Sequence, residues 1–461
     1  MMRRTLGTLL IGAALCCAAR PAAAETVAAG SGAVLQATDF RQIVQAAKDK
    51  VFPAVVFIRV VSENYDSGRK QNVESSGSGV IVSPEGRVLT NWHVVDNAVE
   101  IRCLLTGGRA CRAKLVGSDK DVDVALLQLE TAKGDEAFPY AALGDSAKLA
   151  EGDFVMAMGA PWGLSRSVSI GIISATRRYL AEASEYSLFL QTDASISPGN
   201  SGGPLVDTAG AIVGLNTRGS LQGGDLGFAI PASTLKLMLP RLEQGSGGWA
   251  YTGLQLQPLR DFARDMYFDG NDGVIVAQAE QGSPAAEAGV QTRDRLLKVN
   301  DTRLDALTEE DLPGVRVTLA QLPADKPATV TLRRGGEEKT VTLQPRLKGK
   351  TRGDQLDLPR WDFTAASINQ FDNAGLYFYR NKGVFIKGVK QPGNAVSCGL
   401  QVNDIVVRVG SEEITTLEQI EAAQRKAVAN VQAEHRVLLT VVRNGLMRQI
   451  VLDFARDFQK E

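Results

Sequence analysis

Between positions 52 and 230 the chain alternates short apolar, β-branched runs with glycine-rich polar breaks. The runs at 54–61, 79–82, 88–90, 124–129, 155–158 and 211–215 each have strand length. Many short strands at this spacing predict β-barrels or a sandwich, not a parallel α/β sheet. The stretch 39–50 differs, because its apolar residues recur at helical spacing and predict a lead-in helix. The polar run Glu243-Gln244-Gly245-Ser246-Gly247-Gly248 reads as a flexible linker that closes this first region.

Beyond the linker the pattern repeats. Gly273-Val274-Ile275-Val276, the segment Ser283 to Val290, Asp294 and Val299 align without gaps on Gly383-Val384-Phe385-Ile386, the segment Gly393 to Leu400, Asp404 and Val409. Each copy reads strand, turn, short alanine-rich helix, glycine stop, strand, so two related domains are expected. The polar stretch 347–360 is the hinge between them. Its Gly349-Lys350-Thr351 looks like the end of a phosphate-binding loop, but Gln344 stands where that loop needs a further glycine. The expected division is 1–24 signal peptide, 25–50 lead-in, 51–242 catalytic domain, 243–250 linker, 251–347 first repeat, 348–360 linker and 361–456 second repeat.

A chain of 461 residues suits about three such units. With 51 Lys and Arg against 52 Asp and Glu, its charge gives no electrostatic reason for a nucleic-acid partner. Met1-Met2-Arg3-Arg4, an apolar run over 5–19 and Pro21-Ala22-Ala23-Ala24 form the layout of a secretory signal peptide, with a core too short to span a bilayer. A retained anchor or a lipoprotein signal at Cys16 or Cys17 are the alternatives; the residues before these cysteines suit the latter poorly. No other segment has the look of a membrane span, and a periplasmic location is expected. Export permits disulfides. Cys103 and Cys111 flank Thr106-Gly107-Gly108-Arg109, and a three-residue hairpin loop would make them face the same way, either bridged or packed as two small residues. Cys398 takes the place of Ala288 in the first copy and reads as a small helix residue. No cysteine pair has metal-ligand spacing, so no metal site is expected.

The sharpest chemical signal is Ser197-Pro198-Gly199-Asn200-Ser201-Gly202-Gly203-Pro204-Leu205. A hydroxyl nucleophile needs a tight exposed turn beside backbone N–H groups that can hold an oxyanion, and the glycines permit that backbone. The turn Gly199, Asn200, Ser201 is the expected oxyanion hole, through the N–H groups of Gly199 and Ser201. A serine nucleophile needs a base, and the chain has two histidines. His435 lies in a polar stretch of the second repeat, whereas His93 follows a strand, in Thr90-Asn91-Trp92-His93-Val94-Val95. The base in turn needs a buried carboxylate. Of Asp119, Asp121 and Asp123, the last abuts the apolar strand and is expected inside, with the other two exposed. The order His93, Asp123, Ser201 is that of two-barrel proteases, not of α/β-hydrolases, and an esterase elbow is missing.

These motifs, together with Gly77-Ser78-Gly79-Val80-Ile81-Val82, Gln191-Thr192-Asp193-Ala194 and Gly227-Phe228-Ala229-Ile230-Pro231, make the chain resemble the HtrA/Deg family, with both repeats resembling PDZ domains. The resemblance implies a mostly β fold: a trypsin-like double β-barrel followed by two small α/β PDZ domains. It implies an ATP-independent endopeptidase for unfolded or misfolded proteins, often periplasmic, built on trimers or multiples of trimers, with no metal, nucleotide or other cofactor. Peptide C-termini bound at the PDZ domains would bias loop ordering at the active site. The other reading, from a different class, is a chaperone or PDZ scaffold that holds unfolded chains without cleaving them. Ser195 stands six residues before the nucleophile, where a trypsin has an acid. With Ile196 beside it, small or medium aliphatic P1 side chains are expected in the pocket. Tyr251-Thr252-Gly253-Leu254 resembles a PDZ carboxylate loop, with 254–256 as the strand that receives the peptide. The second copy's counterpart, Trp361-Asp362-Phe363-Thr364, matches weakly and would serve either ligand capture or assembly.

Overall fold

A computed structural model of the chain describes residues 39–130, 137–160, 166–219, 226–245, 248–261 and 270–458. The segment read as a signal peptide, with Cys16 and Cys17, lies outside the described residues. The chain is mostly strand, as its β-branched runs predict. β1 (Val55–Asn64), β2 (Gln71–Ile81), β3 (Arg87–Thr90), β4 (Ala98–Leu104), β5 (Ala110–Asp119) and β6 (Val124–Leu129) close into a barrel in the order β1-β2-β3-β6-β5-β4. β7 (Phe154–Gly159), β8 (Ser167–Tyr179), β9 (Leu188–Thr192), β10 (Pro204–Asp207), β11 (Ile212–Gly219) and β12 (Gly227–Pro231) close a second, in the order β10-β11-β12-β9-β8-β7. Neighbouring strands in both barrels are antiparallel, and alternate side chains fill the interiors with Val, Ile, Leu and Met.

Among the described residues, three α-helices border the barrels. α1 (Phe40–Val51) buries Ala47 and Val51, and its Lys50 ammonium donates to the Ala209 carbonyl. α2 (Trp92–Val95) is a single turn on the end of β3. α3 (Ala232–Glu243) buries Leu235, Met238 and Leu242, and its last turn rests directly on β5: a Cβ at Gly117 would lie 2.2 Å from the Leu242 carbonyl oxygen.

Each repeat then forms its own sheet and core. In the first, β13 (Ala250–Tyr251) pairs with β20 (Arg346–Leu347). β14 (Leu254–Gln257), β15 (Val274–Ala279), β16 (Arg295–Val299), β18 (Ala328–Arg334) and β19 (Glu337–Leu343) lie in the order β14-β15-β16-β18-β19, with β17 (Thr302–Arg303) on β16. In the second, β22 (Phe363–Ser367), β23 (Val384–Val389), β24 (Ile405–Val409), β26 (Arg436–Arg443) and β27 (Leu446–Asp453) repeat that order, with β25 (Glu412–Glu413) on β24. One more strand, β21 (Gln355–Leu358), lies outside β22. The aspartates repeated in the sequence have one structural job in both copies. Asp294 takes a two-pronged contact from Arg334 at 2.7 and 2.6 Å, and Asp404 takes one from Arg443 at 2.6 and 2.6 Å.

The second sheet also meets the first barrel. At the β1–β2 turn Thr364 donates its hydroxyl to the Tyr65 carbonyl at 2.5 Å, and Lys387 pairs with Asp66 at 2.9 Å. A Cβ at Gly388 would lie 2.4 Å from the Asp66 carbonyl oxygen, so the two backbones are in direct contact.

Candidate active site

The site lies where β3, the turn before β6 and the turn before β10 converge. β3 ends in α2, which presents His93 with its side chain 41% exposed. The turn 120–123 delivers Asp123 into the interior, 4% exposed, in the left-handed region at φ 59°. Non-glycine residues rarely adopt that region, and Asp and Asn do so most readily. The Asp123 N–H donates to the Lys120 carbonyl, closing the turn, and the Asn91 amide donates to the Asp123 carbonyl at 3.1 Å.

Asp123 is the acid that meets the imidazole. His93 Nδ1 lies 2.9 Å from each carboxylate oxygen, and the His93 backbone N–H donates to Oδ1 at 3.0 Å. A carboxylate only accepts, so Nδ1 is the donor, which in the neutral ring leaves the lone pair on Nε2. Oδ2 also accepts the Thr217 hydroxyl at 2.6 Å, a contact that no local sequence signal announces. The Ser201 hydroxyl donates to the Thr217 carbonyl at 2.9 Å, and no hydrogen bond among the described residues joins it to His93. Rotation about one Cα–Cβ bond re-aims such a hydroxyl, and catalytic contacts often tighten only once substrate is bound.

The nucleophile turn is built as its glycines require. Gly199 has φ 98° and Gly202 φ 82°; a Cβ at Gly202 would lie 2.2 Å from the Ser78 carbonyl oxygen. The N–H groups of Gly199 and Ser201 have no acceptor among the described residues and stay available. The Asn200 N–H, between them, donates to the Ser197 carbonyl at 2.9 Å, so the turn itself takes this group. Ser78 lies in the motif 77–82, which gave it no role of its own. Fully buried, its Oγ donates to the Gly199 carbonyl at 2.6 Å and accepts from the Ala160 N–H at 2.8 Å.

Of the pocket candidates, Ser195 is exposed, with its carbonyl accepting the Ser169 hydroxyl at 2.7 Å. Ile196 is half-buried against β12: a Cβ at Gly227 would lie 2.8 Å from its Cδ1.

The three neighbouring acids part company. Asp119, expected at the surface, is 7% exposed, because the Trp249 indole N–H donates to its Oδ2 at 2.5 Å and the Val122 N–H to its Oδ1 at 3.1 Å. Burial pushes its carboxyl above the ordinary carboxylate range, Asp121 adds to the shift, and the Trp249 bond opposes it. Asp121 is ion-paired with Lys348. Cys103 and Cys111 stand directly opposite on β4 and β5 across the three-residue loop 106–108, both as buried free thiols, and burial pushes the Cys103 thiol up to about 12.

In the first repeat, Tyr251, Thr252, Gly253 and Leu254 lead into β14. Gly253 has φ 72°, the Thr252 carbonyl accepts from Ala285 and the Gly253 carbonyl from Glu280. Gln370 of the second repeat donates to the Tyr251 hydroxyl at 2.6 Å and to Glu280 at 2.7 Å. In the second repeat the counterpart is core: Trp361 and Phe363 are fully buried, and Asp362 accepts from the Asn394 N–H at 2.9 Å. His435 stays in that repeat, offering its carbonyl to Phe454.

Residues 77–215 match the model of the trypsin-like peptidase domain and residues 250–344 that of the PDZ domain. A DegP-like periplasmic serine endoprotease of Brucella suis is 33% identical over 391 residues, 82% of this chain and 73% of the relative. The periplasmic serine endoprotease DegP of Escherichia coli K12 is 32% identical over 361 residues, 77% of this chain and 72% of the relative. Among solved structures, the HtrA-type protease AlgW with tripeptide has a TM-score of 0.59 at 32% identity, covering 66% of this chain and 97% of that one. AlgW with decapeptide has 0.57 at 31%, covering 66% and 99%. The double barrel and the PDZ fold behind it thus come with matching sequence over most of the chain, which belongs to the HtrA/DegP family of serine endoproteases.

Proposed function

We propose that Ser201, His93 and Asp123 are the nucleophile, base and acid of this endopeptidase, acting on unfolded or misfolded chains in the periplasm. The observation that carries the reading is the His93 Nδ1 contact to both oxygens of a buried carboxylate, beside a serine whose turn leaves two N–H groups free. Ser201 Oγ attacks the scissile carbonyl carbon while His93 Nε2 takes the hydroxyl proton; the N–H groups of Gly199 and Ser201 hold the oxyanion. The C–N bond breaks as His93 returns that proton to the departing amine. Water, deprotonated by the same imidazole, then splits the acyl ester and regenerates the serine. Asp123 keeps Nδ1 as the donor and stabilises the imidazolium between the two transfers. Ser195 and Ile196 admit aliphatic P1 side chains. The loop 251–254 takes peptide C-termini, with β14 as the edge that a peptide strand joins.

Periplasmic location is supported by the relatives' names and by the residues at 1–24, and a trimer by membership of the family; mass measurement of the purified protein tests the latter. The central experiment is Ser201→Ala, which should abolish cleavage of unfolded casein while the circular dichroism spectrum is unchanged. Wild type and variant that suppress aggregation equally, with neither cleaving, would instead make the chain a holding chaperone.

A further inference from the structure

The two repeats differ at one edge. In the first, β14 pairs with β15 and with no other described strand. In the second, the matching strand β22 pairs with β23 on one side and β21 on the other. β21 runs antiparallel to β22, as an added peptide would, in the register Gln355 to Ala366 and Leu358 to Phe363. Its last residue therefore lies at the start of β22, where a bound peptide would end. Leu358 is fully buried in one cluster with Ile420 and Ala423 of the helix Leu417–Ala429, and the Gln424 amide of that helix donates to the Pro359 carbonyl. Where a ligand would present a free carboxylate, the chain runs on through Arg360, whose guanidinium donates to the Phe454 and Ala455 carbonyls at 2.9 and 2.6 Å.

The residues just ahead of β21 reach the catalytic barrel. Lys348 pairs with Asp121, two positions before Asp123, and its N–H donates to the Trp249 carbonyl at 2.9 Å. Arg352 grips both carboxylate oxygens of Asp96, the residue that ends α2, three positions after His93. Asp372 pairs with Lys120 at 2.7 Å. The acid's turn and the base's helix are thus each held by one residue of the linker that β21 anchors.

We infer that the second repeat is an internally liganded anchor, its peptide groove filled by β21, and that the linker it fixes makes Lys348 and Arg352 positioning residues for Asp123 and His93. The groove is then closed to outside C-termini, and peptide capture falls to β14. The positioning half rests on the triad proposed above.

Two measurements on the whole protein test this. In hydrogen exchange, the amides of 363–367 are slow without peptide, and a decapeptide with an aliphatic C-terminal residue adds protection at 251–257 alone. Fast exchange at 363–367, or protection gained there with peptide, overturns the filled groove. For positioning, Arg352→Ala and Lys348→Ala lower kcat and the rate of fluorophosphonate labelling at Ser201 five- to tenfold with KM unchanged, and Arg352→Lys restores most of the loss. Asp123→Asn is the reference. If it labels at the wild-type rate the triad fails; if it is inactive while both linker variants label normally, positioning by the linker fails.

Discussion

Thr217 donates its hydroxyl to Oδ2 of Asp123 across 2.6 Å, and its own carbonyl receives the hydroxyl of Ser201 at 2.9 Å. One residue of β11 therefore touches both the proposed acid and the proposed nucleophile. A hydrogen bond to a charged group contributes about 1.5–3 kcal/mol. Thr217→Val should lower kcat on casein roughly tenfold or more with little change in KM, and Thr217→Ser should recover it. Equal losses in the two variants would mean that the hydroxyl is not the cause.

Ser78 braces the nucleophile turn from the opposite barrel. Ser78→Ala leaves the Gly199 carbonyl and the Ala160 N–H without their buried partner. The proposed oxyanion donors lose their fixed aim, and fluorophosphonate labelling of Ser201 should slow by about tenfold, less than the 10²–10³ that removal of a donor itself costs. Labelling at the wild-type rate would show that the turn holds its shape unaided.

Ile196, a proposed wall of the P1 pocket, packs beside Gly227. Ile196→Ala should shift cleavage towards bulkier P1 side chains, read by mass spectrometry of casein fragments. An unchanged P1 distribution would remove Ile196 from the specificity determinants.

Asp119 gives stability a pH dependence of definite sign. Its carboxyl is raised above the ordinary range by burial, so the folded protein holds that proton more tightly than the unfolded chain. The contribution is complete below the unfolded value, about pH 4, and is lost as pH rises through the folded value. In urea unfolding, wild type measured against Asp119→Asn should therefore lose ground between pH 4.5 and pH 8. A difference that grows with pH would reverse the assignment.

The thiols supply a further test. Alkylation of the native protein at pH 8 should reach half-buried Cys398 first and leave Cys103 intact until unfolding, since burial raises its thiol to about 12. Unfolding without reductant should then release thiols from both Cys103 and Cys111; their absence would mean a cross-strand bridge.

Much of this architecture was legible because local pattern and final environment agree. The β-branched runs at 88–90 and 124–129 lie within β3 and β6, and that at 54–61 starts one residue before β1, where barrel interiors need such side chains. Asp123 could be told from its neighbours because it abuts an apolar strand. Asp119 could not, since its cover is an indole 130 positions away in the sequence. Thr217 and Ser78 act through contacts fixed by the closing of two barrels, and no spacing foreshadows them. β21 reads as polar linker because Gln355-Leu356-Asp357-Leu358 is too short to declare itself. It is a strand only because β22 and the helix Leu417–Ala429 offer it a place.

The joint between the Asp66 carbonyl and Gly388 has an implication for the history of the chain. Main chain abuts main chain there, so no rotamer can absorb a change. Lengthening the hairpin or replacing the glycine would demand a matching alteration on the opposite side. The seam should behave as a ratchet, in which the barrel and the sheet behind it drift only in step.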